Sequence, residues 1–590
     1  LDTATDNPLD AGFAWPNPFL NQRNKVDDLW HGAYNSRGQF LSAQNPVELE
    51  LALINTLKDI SERTDSAAAV AVNSARLTSE SVVYLAQFNS NGWQGNLQAK
   101  LITDTNLGTL ADTPIWETGP LLTARTDPRE IITYNGTKGV PFRWDTSALS
   151  TAMMNDLRTS PNGLPDSDTN AEARLNFLRG DRSNEGSGLQ LRPRLSILGD
   201  IVNSGPVFVG APDLSWPDTA PFPTTSGNRY SDFKNGSIKN RTKVVYVGAN
   251  DGLLHAFDDN SGKELFAYAP NLLSSTDAAG GLHFLTNPNY THNWYVDLTP
   301  TLSDVNITSN AGSGWHTVLV GALGAGGRGV FALNVTDPST FAETNADNIA
   351  LWEFSNANDS DLGYTFSRPA IALTNSGRWV AIFGNGYNDT GSGQAALYIL
   401  DIEAGIDGWA PADFKKITTQ VGTTTNRNGL ATPALADVDG NGTVDRVYAG
   451  DLEGNMWAFD LSSASSTQWD VAFKSGSTPE PLFKTEPGQP ITSKPVLANH
   501  PTIPFSTSPS NSPNLMVYFG TGSYLVEADK TNATVQSFYG VWDQGVKART
   551  RANLIEQTFK PAFINRVLTR NFVDYSSDFG WWFDLPATGE

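Results

Sequence analysis

Nine consecutive residues, Asp437-Val438-Asp439-Gly440-Asn441-Gly442-Thr443-Val444-Asp445, carry the oxygen pattern of a calcium loop. Counted from Asp437, side-chain oxygens stand at positions 1, 3, 5 and 9, and Gly442 stands at position 6. Calcium takes about six to eight oxygens, and alternate residues of a tight loop can all aim inward. Glycine at position 6 permits the sharp turn, and position 7 lends a backbone carbonyl. The expected ligands of one Ca2+ are the side chains of Asp437, Asp439, Asn441 and Asp445 and the carbonyl of Thr443, with water completing the shell. The pattern departs from an EF-hand at position 12. That residue is Tyr448, inside the apolar run Val447-Tyr448-Ala449, so the loop runs into a strand and not a helix. The alternative is an Asp/Gly-rich surface turn that binds nothing.

Other constellations are weaker. Arg179-Gly180-Asp181 is the tripeptide that integrins recognise, and on an exposed loop it would bind a receptor. It reads better as a helix end, with Gly180 supplying the left-handed turn. Asp166, Asp168, Asn170 and Glu172 alternate oxygens as a second calcium loop would, but position 6 lacks glycine and position 9 is Arg174. Helix capping by Asp168 or Asn170 explains them more simply. The six histidines (31, 255, 283, 292, 316 and 500) lack metal-ligand spacing and read as surface or hydrogen-bonded residues. No Ser-His-Asp or paired-carboxylate arrangement is visible, so no catalytic residue is assigned.

Composition narrows the class. A formal charge of −22 argues against nucleic acid, whose phosphates demand a basic face. With 0 Cys in 590 residues, disulfides, thiolate zinc sites and cysteine nucleophiles are impossible. No stretch approaches the ~18 apolar residues of a membrane span. The chain begins at Leu1 without methionine and is expected to be a processed or trimmed product.

The elements that would position the loop are mostly strands. Residues 1–65 are expected to be helical, with Asn45 as cap, Pro46 in the first turn and Leu49, Leu53, Leu57 and Ile60 at near-helical spacing. Residues 68–74 are small and read as a linker. Residues 66–190 are expected to be β-rich, with a hairpin over 82–102 and a short helix near 170–178. After Leu195 a unit recurs: 244–258 (strand, Asp251-Gly252 turn, strand) returns as 446–460, with looser copies at 317–333, 379–401 and from 515. Five of the units open on a proline: Pro206, Pro300, Pro369, Pro433 and Pro495. Stacked units of this kind predict an all-β propeller over 191–590, folded separately from what precedes it. A β-sandwich is the alternative.

These residues resemble the C-terminal half of the PilY-type proteins of type IV pili. The resemblance rests on Lys25-Val26-Asp27-Asp28-Leu29-Trp30-His31 and on 198–210, around Leu198-Gly199-Asp200 and Asn203-Ser204-Gly205-Pro206. It extends through Leu362–Pro369 with Phe383–Tyr387, then 437–460, 518–524 and 538–543. It implies a quinoprotein-like propeller of about seven blades, incomplete or unusually closed at the C-terminus. The first segment would follow a von Willebrand A-like domain that is itself absent. It further implies a non-catalytic, calcium-binding protein at the pilus tip on the cell surface, passing through periplasm or outer membrane. Such a protein acts in biogenesis (extension and retraction), twitching motility, adhesion and surface sensing. Implied partners are minor pilins and host or surface receptors. Two rivals stay open: a quinoprotein dehydrogenase and a metal-free periplasmic scaffold. The dehydrogenase is disfavoured because those enzymes place adjacent cysteines at an axial site. The calcium loop here also reads as local and self-contained, not assembled from distant blades.

Overall fold

Each recurring proline does one structural job. Pro206, Pro300, Pro369, Pro433 and Pro495 immediately precede the strands Val207–Val209, Thr301–Ser309, Ala370–Leu373, Ala434–Ala436 and Val496–Asn499. Proline has no N–H to lose, so it suits the residue that leads into a strand. The computed structural model describes Ser66–Val72 and residues 81–586, apart from 105–108, 161, 187–188, 504–512, 548 and 560–566. The expected helix over 1–65 and the 25–31 motif lie outside the described residues.

Each proline-led strand opens a sheet. The sheet after Pro300 is a four-stranded antiparallel meander: Thr301–Ser309, Gly312–Ala322, Gly329–Asn334 and Ala350–Ser355. The one after Pro369 runs Ala370–Leu373, Trp379–Gly384, Gln394–Asp401 and Phe414–Gly422. The fifth sheet in chain order runs Ala434–Ala436, Arg446–Gly450, Asn455–Asp460 and Asp470–Val471. The sixth is led by Val496–Asn499, Leu515–Gly520 and Ser537–Asp543. The second holds Val207–Val209, Val244–Gly248, Leu254–Asp258 and Glu264–Ala269, and the first holds Ser66–Val72, Val82–Asn89 and Gln94–Asp104.

Beside the two-stranded ribbon of Phe473–Ser475 and Thr478–Glu480, these six larger sheets among the described residues pack face to face in series and make an all-β propeller. Period-two alternation sends alternate side chains to opposite neighbours. Trp457 and Phe459 join Ile382 and Leu397 of the fourth sheet, while Met456 and Ala458 join Val517 and Tyr539 of the sixth. Strands buried on both faces explain why these runs read as continuously apolar.

Hydroxyls beside the prolines latch one sheet to the next. Ser204 Oγ accepts from the Gly248 N–H (2.8 Å) and donates to the Leu298 carbonyl (3.3 Å). Ser367 repeats this with Gly384 (2.8 Å) and Ala431 (3.3 Å). The glycines are required for that approach. A Cβ on Gly248 would stand 2.4 Å from the Val296 carbonyl oxygen, and one on Gly384 would stand 2.3 Å from that of Leu430.

Two expectations need correction. Of the expected linker over 68–74, residues 68–72 belong to the strand Ser66–Val72; backbone pairing in the first sheet, which composition does not reveal, decides it. The boundary expected at 191 is crossed by Ile131–Tyr134, which pairs in parallel with Glu264–Ala269. All four of its residues are buried, so this strand needs the second sheet to cover it, and Ala67–Glu590 is one compact unit. The helix near 170 spans Asp168–Leu178.

Candidate metal centre

The acidic loop joins the first two strands of the fifth sheet, Ala434–Ala436 and Arg446–Gly450. It therefore runs into a strand, as position 12 requires. Its conformation comes from its own amides. Asp437 accepts from the N–H groups of Gly440 (2.7 Å), Asn441 (3.2 Å) and Gly442 (2.7 Å). Asp439 accepts from the Asn441 N–H at 3.1 Å, and Asn441 Oδ1 accepts from the Thr443 N–H at 2.7 Å. Gly440 and Gly442 have φ of 76° and 91°, the left-handed conformation that glycine adopts without a Cβ penalty.

These turns bring the carboxylates of Asp437, Asp439 and Asp445 together, with an oxygen of each within 4.8 Å of the others. Asp437, Asp439 and Asn441 are exposed, whereas Thr443 and Asp445 are buried. Asp445 accepts from the Val438 N–H (2.8 Å) and from Asn375 Nδ2 (2.9 Å). Burial pushes the Asp445 carboxyl above its ordinary value; these hydrogen bonds oppose the shift, and the neighbouring Asp439 charge adds to it. All the donors are hard oxygens, which suits a hard cation such as Ca2+.

The converging carboxylates all belong to the loop, but a residue outside it holds one of them. Asn375 reaches it from the turn after Ala370–Leu373 in the fourth sheet. Sequence reading missed Asn375 because it belongs to a different sheet. A polar residue in that hairpin turn was the sole signal.

The other candidates fall differently. Arg179 caps the C-terminus of Asp168–Leu178, and Gly180 follows with φ of 105°. The Arg179 guanidinium turns inward. It pairs with Glu343 (2.7 Å) and donates to the carbonyls of Phe142 (2.9 Å) and Arg129 (2.8 Å). Of the tripeptide, only Asp181 is exposed. The structure thus carries the helix-end reading, with arginine withheld from a receptor. The helix cap is Ser167, not Asp168 or Asn170; its side chain accepts from the Asn170 N–H. Asp166 pairs with Arg174, and Asp168 with Arg158 at 2.6 Å, so arginines answer these carboxylates.

Three histidines form hydrogen-bonded pairs in the interior. His283 meets Asp156 (2.7 Å) and His292 meets Asp200 (2.8 Å). His255 lies between Glu264 (2.7 Å) and Asp251 (3.2 Å), and Arg129 backs Glu264 at 2.7 Å. Burial opposes a charged imidazole, but Asp251 and Glu264 overcome it and carry the His255 pKa up to about 9.

Serially stacked, proline-led sheets bearing one acidic inter-strand loop define a β-propeller protein with a candidate cation site. The family model described as "PilY1 beta-propeller domain" matches residues 198–571. The type IV pilus biogenesis factor PilY1 of Pseudomonas aeruginosa (strain PAK) is 34% identical over 632 residues, covering 98% of this chain and 51% of the relative. A PilY1 homolog of Xylella fastidiosa (strain Temecula1) is 36% identical over 602 residues, covering 99% of this chain and 43% of the relative. The crystal structure of the Pseudomonas aeruginosa PilY1 C-terminal domain is 32% identical with a TM-score of 0.49, covering 65% of this chain and 78% of that one. This chain belongs to the PilY1 beta-propeller family. It spans about half the length of the curated relatives it matches. Among the described residues, no helix is long and apolar enough to cross a membrane.

Proposed function

We propose that this chain is the calcium-binding, non-catalytic propeller part of a type IV pilus biogenesis protein that works at the pilus tip. The observation that carries the calcium half is the convergence of Asp437, Asp439 and Asp445 within 4.8 Å. When bound, the ion supplies positive charge that neutralises three converging carboxylates. Asp437 organises the loop amides, Asp445 anchors its buried end, and the Thr443 carbonyl and Asn441 amide oxygen complete the donors. These oxygens are proposed to bind the ion and not to turn over a substrate.

The pilus half rests on the family. Its relatives are named type IV pilus biogenesis factors. Localisation at the cell surface, contact with minor pilins, adhesion and surface sensing belong to the same proposal. The ion acts either as a switch for pilus extension and retraction or as a clamp between strands. One experiment tests both halves. A strain lacking the protein is complemented with wild type or Asp437→Ala, and surface pili, twitching and copurifying minor pilins are scored. Loss of pili with the null strain, and altered twitching with the variant at equal protein level, is expected. Normal pili in the null strain would overturn the pilus assignment. Identical behaviour of variant and wild type would overturn a calcium role in it.

A further inference from the structure

The acidic loop is gripped from two sides by parts of the chain far from it in sequence. On one side is Asn375, in the turn between Ala370–Leu373 and Trp379–Gly384. Its Nδ2 donates to Asp445 Oδ1 (2.9 Å) and to the Val444 carbonyl (3.1 Å). Its Oδ1 accepts from Thr443 Oγ1 (2.9 Å). The Val444 N–H donates to the Leu373 carbonyl at 2.9 Å, so backbone pairing joins the same two segments. One amide therefore touches the residues expected to supply the seventh and ninth positions of the ligand set.

On the other side is Phe222, from the long excursion between Val207–Val209 and Val244–Gly248. A Cβ on Gly442 would lie 2.5 Å from its ring, so the ring rests directly on the loop backbone. Phe222 is 3% exposed and stacks on Trp216 with ring centroids 5.3 Å apart. Trp216 meets Trp379 of the fourth sheet edge-on at 5.5 Å. The loop thus lies where the fourth sheet, the fifth sheet and the excursion meet.

We propose that Asn375 is a positioning residue for calcium, and that the bound ion fastens the 374–378 turn and Phe222 to the fifth sheet. This rests on the calcium reading above. The argument is one of linkage. Asn375 fixes the orientation of the Asp445 carboxylate and, through the Thr443 hydroxyl, the segment whose carbonyl would be a ligand. Groups that orient ligands raise metal affinity, and their loss weakens it about 10–100-fold. Linkage is reciprocal: whatever the two grips do for the ion, the ion does for the grips by the same factor. Without the ion, three carboxylates within 4.8 Å repel one another. Their cheapest relief moves the exposed half of the loop, which carries Gly442 away from Phe222 and strains the Asn375 bonds.

The test uses the full chain and Ca2+ itself. Calorimetry compares wild type, Asn375→Ala and Phe222→Leu; the last lies outside both loop and turn and guards against misfolding of the first. Hydrogen exchange is followed with and without Ca2+ at 437–445, 374–378 and 216–222. We expect Asn375→Ala to bind Ca2+ about 10–100-fold more weakly, and Phe222→Leu several-fold more weakly. We expect Ca2+ to slow exchange in all three segments of wild type, but no longer at 374–378 in Asn375→Ala. A purely structural Asn375 would lower the melting temperature of the calcium-free protein without changing that pattern. Wild type that binds Ca2+ with unchanged exchange at 374–378 and 216–222, and variants of equal affinity, would overturn this inference and leave the calcium reading standing. Wild type that binds no Ca2+ would overturn both.

Discussion

Asp445 is the proposed ligand whose removal separates a calcium site from a turn most cleanly. It is 1% exposed and holds the closing end of the loop. Replacing it with asparagine keeps the shape and an oxygen to accept from the Val438 N–H, but puts an amide NH2 where the second oxygen accepts from Asn375, and removes one negative charge. Two unit charges 4 Å apart attract by about 1 kcal/mol in water and about 4 kcal/mol at an effective dielectric of about 20. A dication doubles these values, but Asp437 and Asp439 are open to solvent and hold the site near the aqueous limit. Losing the charge then costs about 2–3 kcal/mol of binding, or roughly 30–150-fold in Kd.

Wild type should bind one Ca2+ with a Kd on the order of micromolar to tens of micromolar, the range of sensor loops with this kind of ligand charge. Asp445→Asn should then fall toward millimolar, with the melting temperature of the calcium-free protein little changed, because the loss of one repelling charge offsets the lost bond from Asn375. Asp445→Ala should lose as much affinity and, in addition, about 1–3 kcal/mol of stability, because the buried Val438 N–H is left unpaired. Calorimetry with Ca2+ and melting in chelator measure both quantities. Equal Ca2+ binding by wild type and Asp445→Asn would refute the reasoning and reduce the loop to a surface turn.

Three more outcomes follow from the fold. The His255 pKa is raised from 6.5 to about 9, so the native state holds a proton that the unfolded chain releases. Its stabilising contribution is complete below about pH 6.5 and is lost as pH rises toward 9. Urea midpoints for wild type should fall across that window more steeply than those of His255→Gln, and an equal or opposite slope would count against the buried charge. Gly384→Ala places a methyl 2.3 Å from the Leu430 carbonyl oxygen and should cost about 1–3 kcal/mol, read as a lower denaturation midpoint. Arg179→Ala should lower the melting temperature, by up to about 3 kcal/mol of stability because Arg143 still faces Glu343, whereas Asp181→Ala should not. Equal melting of those two variants would mean that Arg179 is not anchored in the interior.

The sequence revealed whatever the backbone demands locally. The three carboxylates that converge lie within nine residues, so their spacing alone marks them as candidates. The propeller is legible because each sheet repeats the same backbone problem. A strand led in by proline, a neighbouring hydroxyl and a glycine approached by the next carbonyl recur at 204–206 with 248 and at 367–369 with 384. Partners distant in the chain left no such trace. Glu343 turns Arg179 away from solvent, and Ile131–Tyr134 finds its place only against Glu264–Ala269. Asn375 and Phe222 meet the acidic loop because sheets four and five stack and the excursion crosses to them, which no periodicity encodes. The identity of the proposed ligands is therefore a local property of residues 437–445. On the proposal made here, their affinity depends on the turn and the ring that grip those residues. Substitutions at Asn375 or Phe222 should thus alter calcium binding while leaving every residue of the recognisable motif intact.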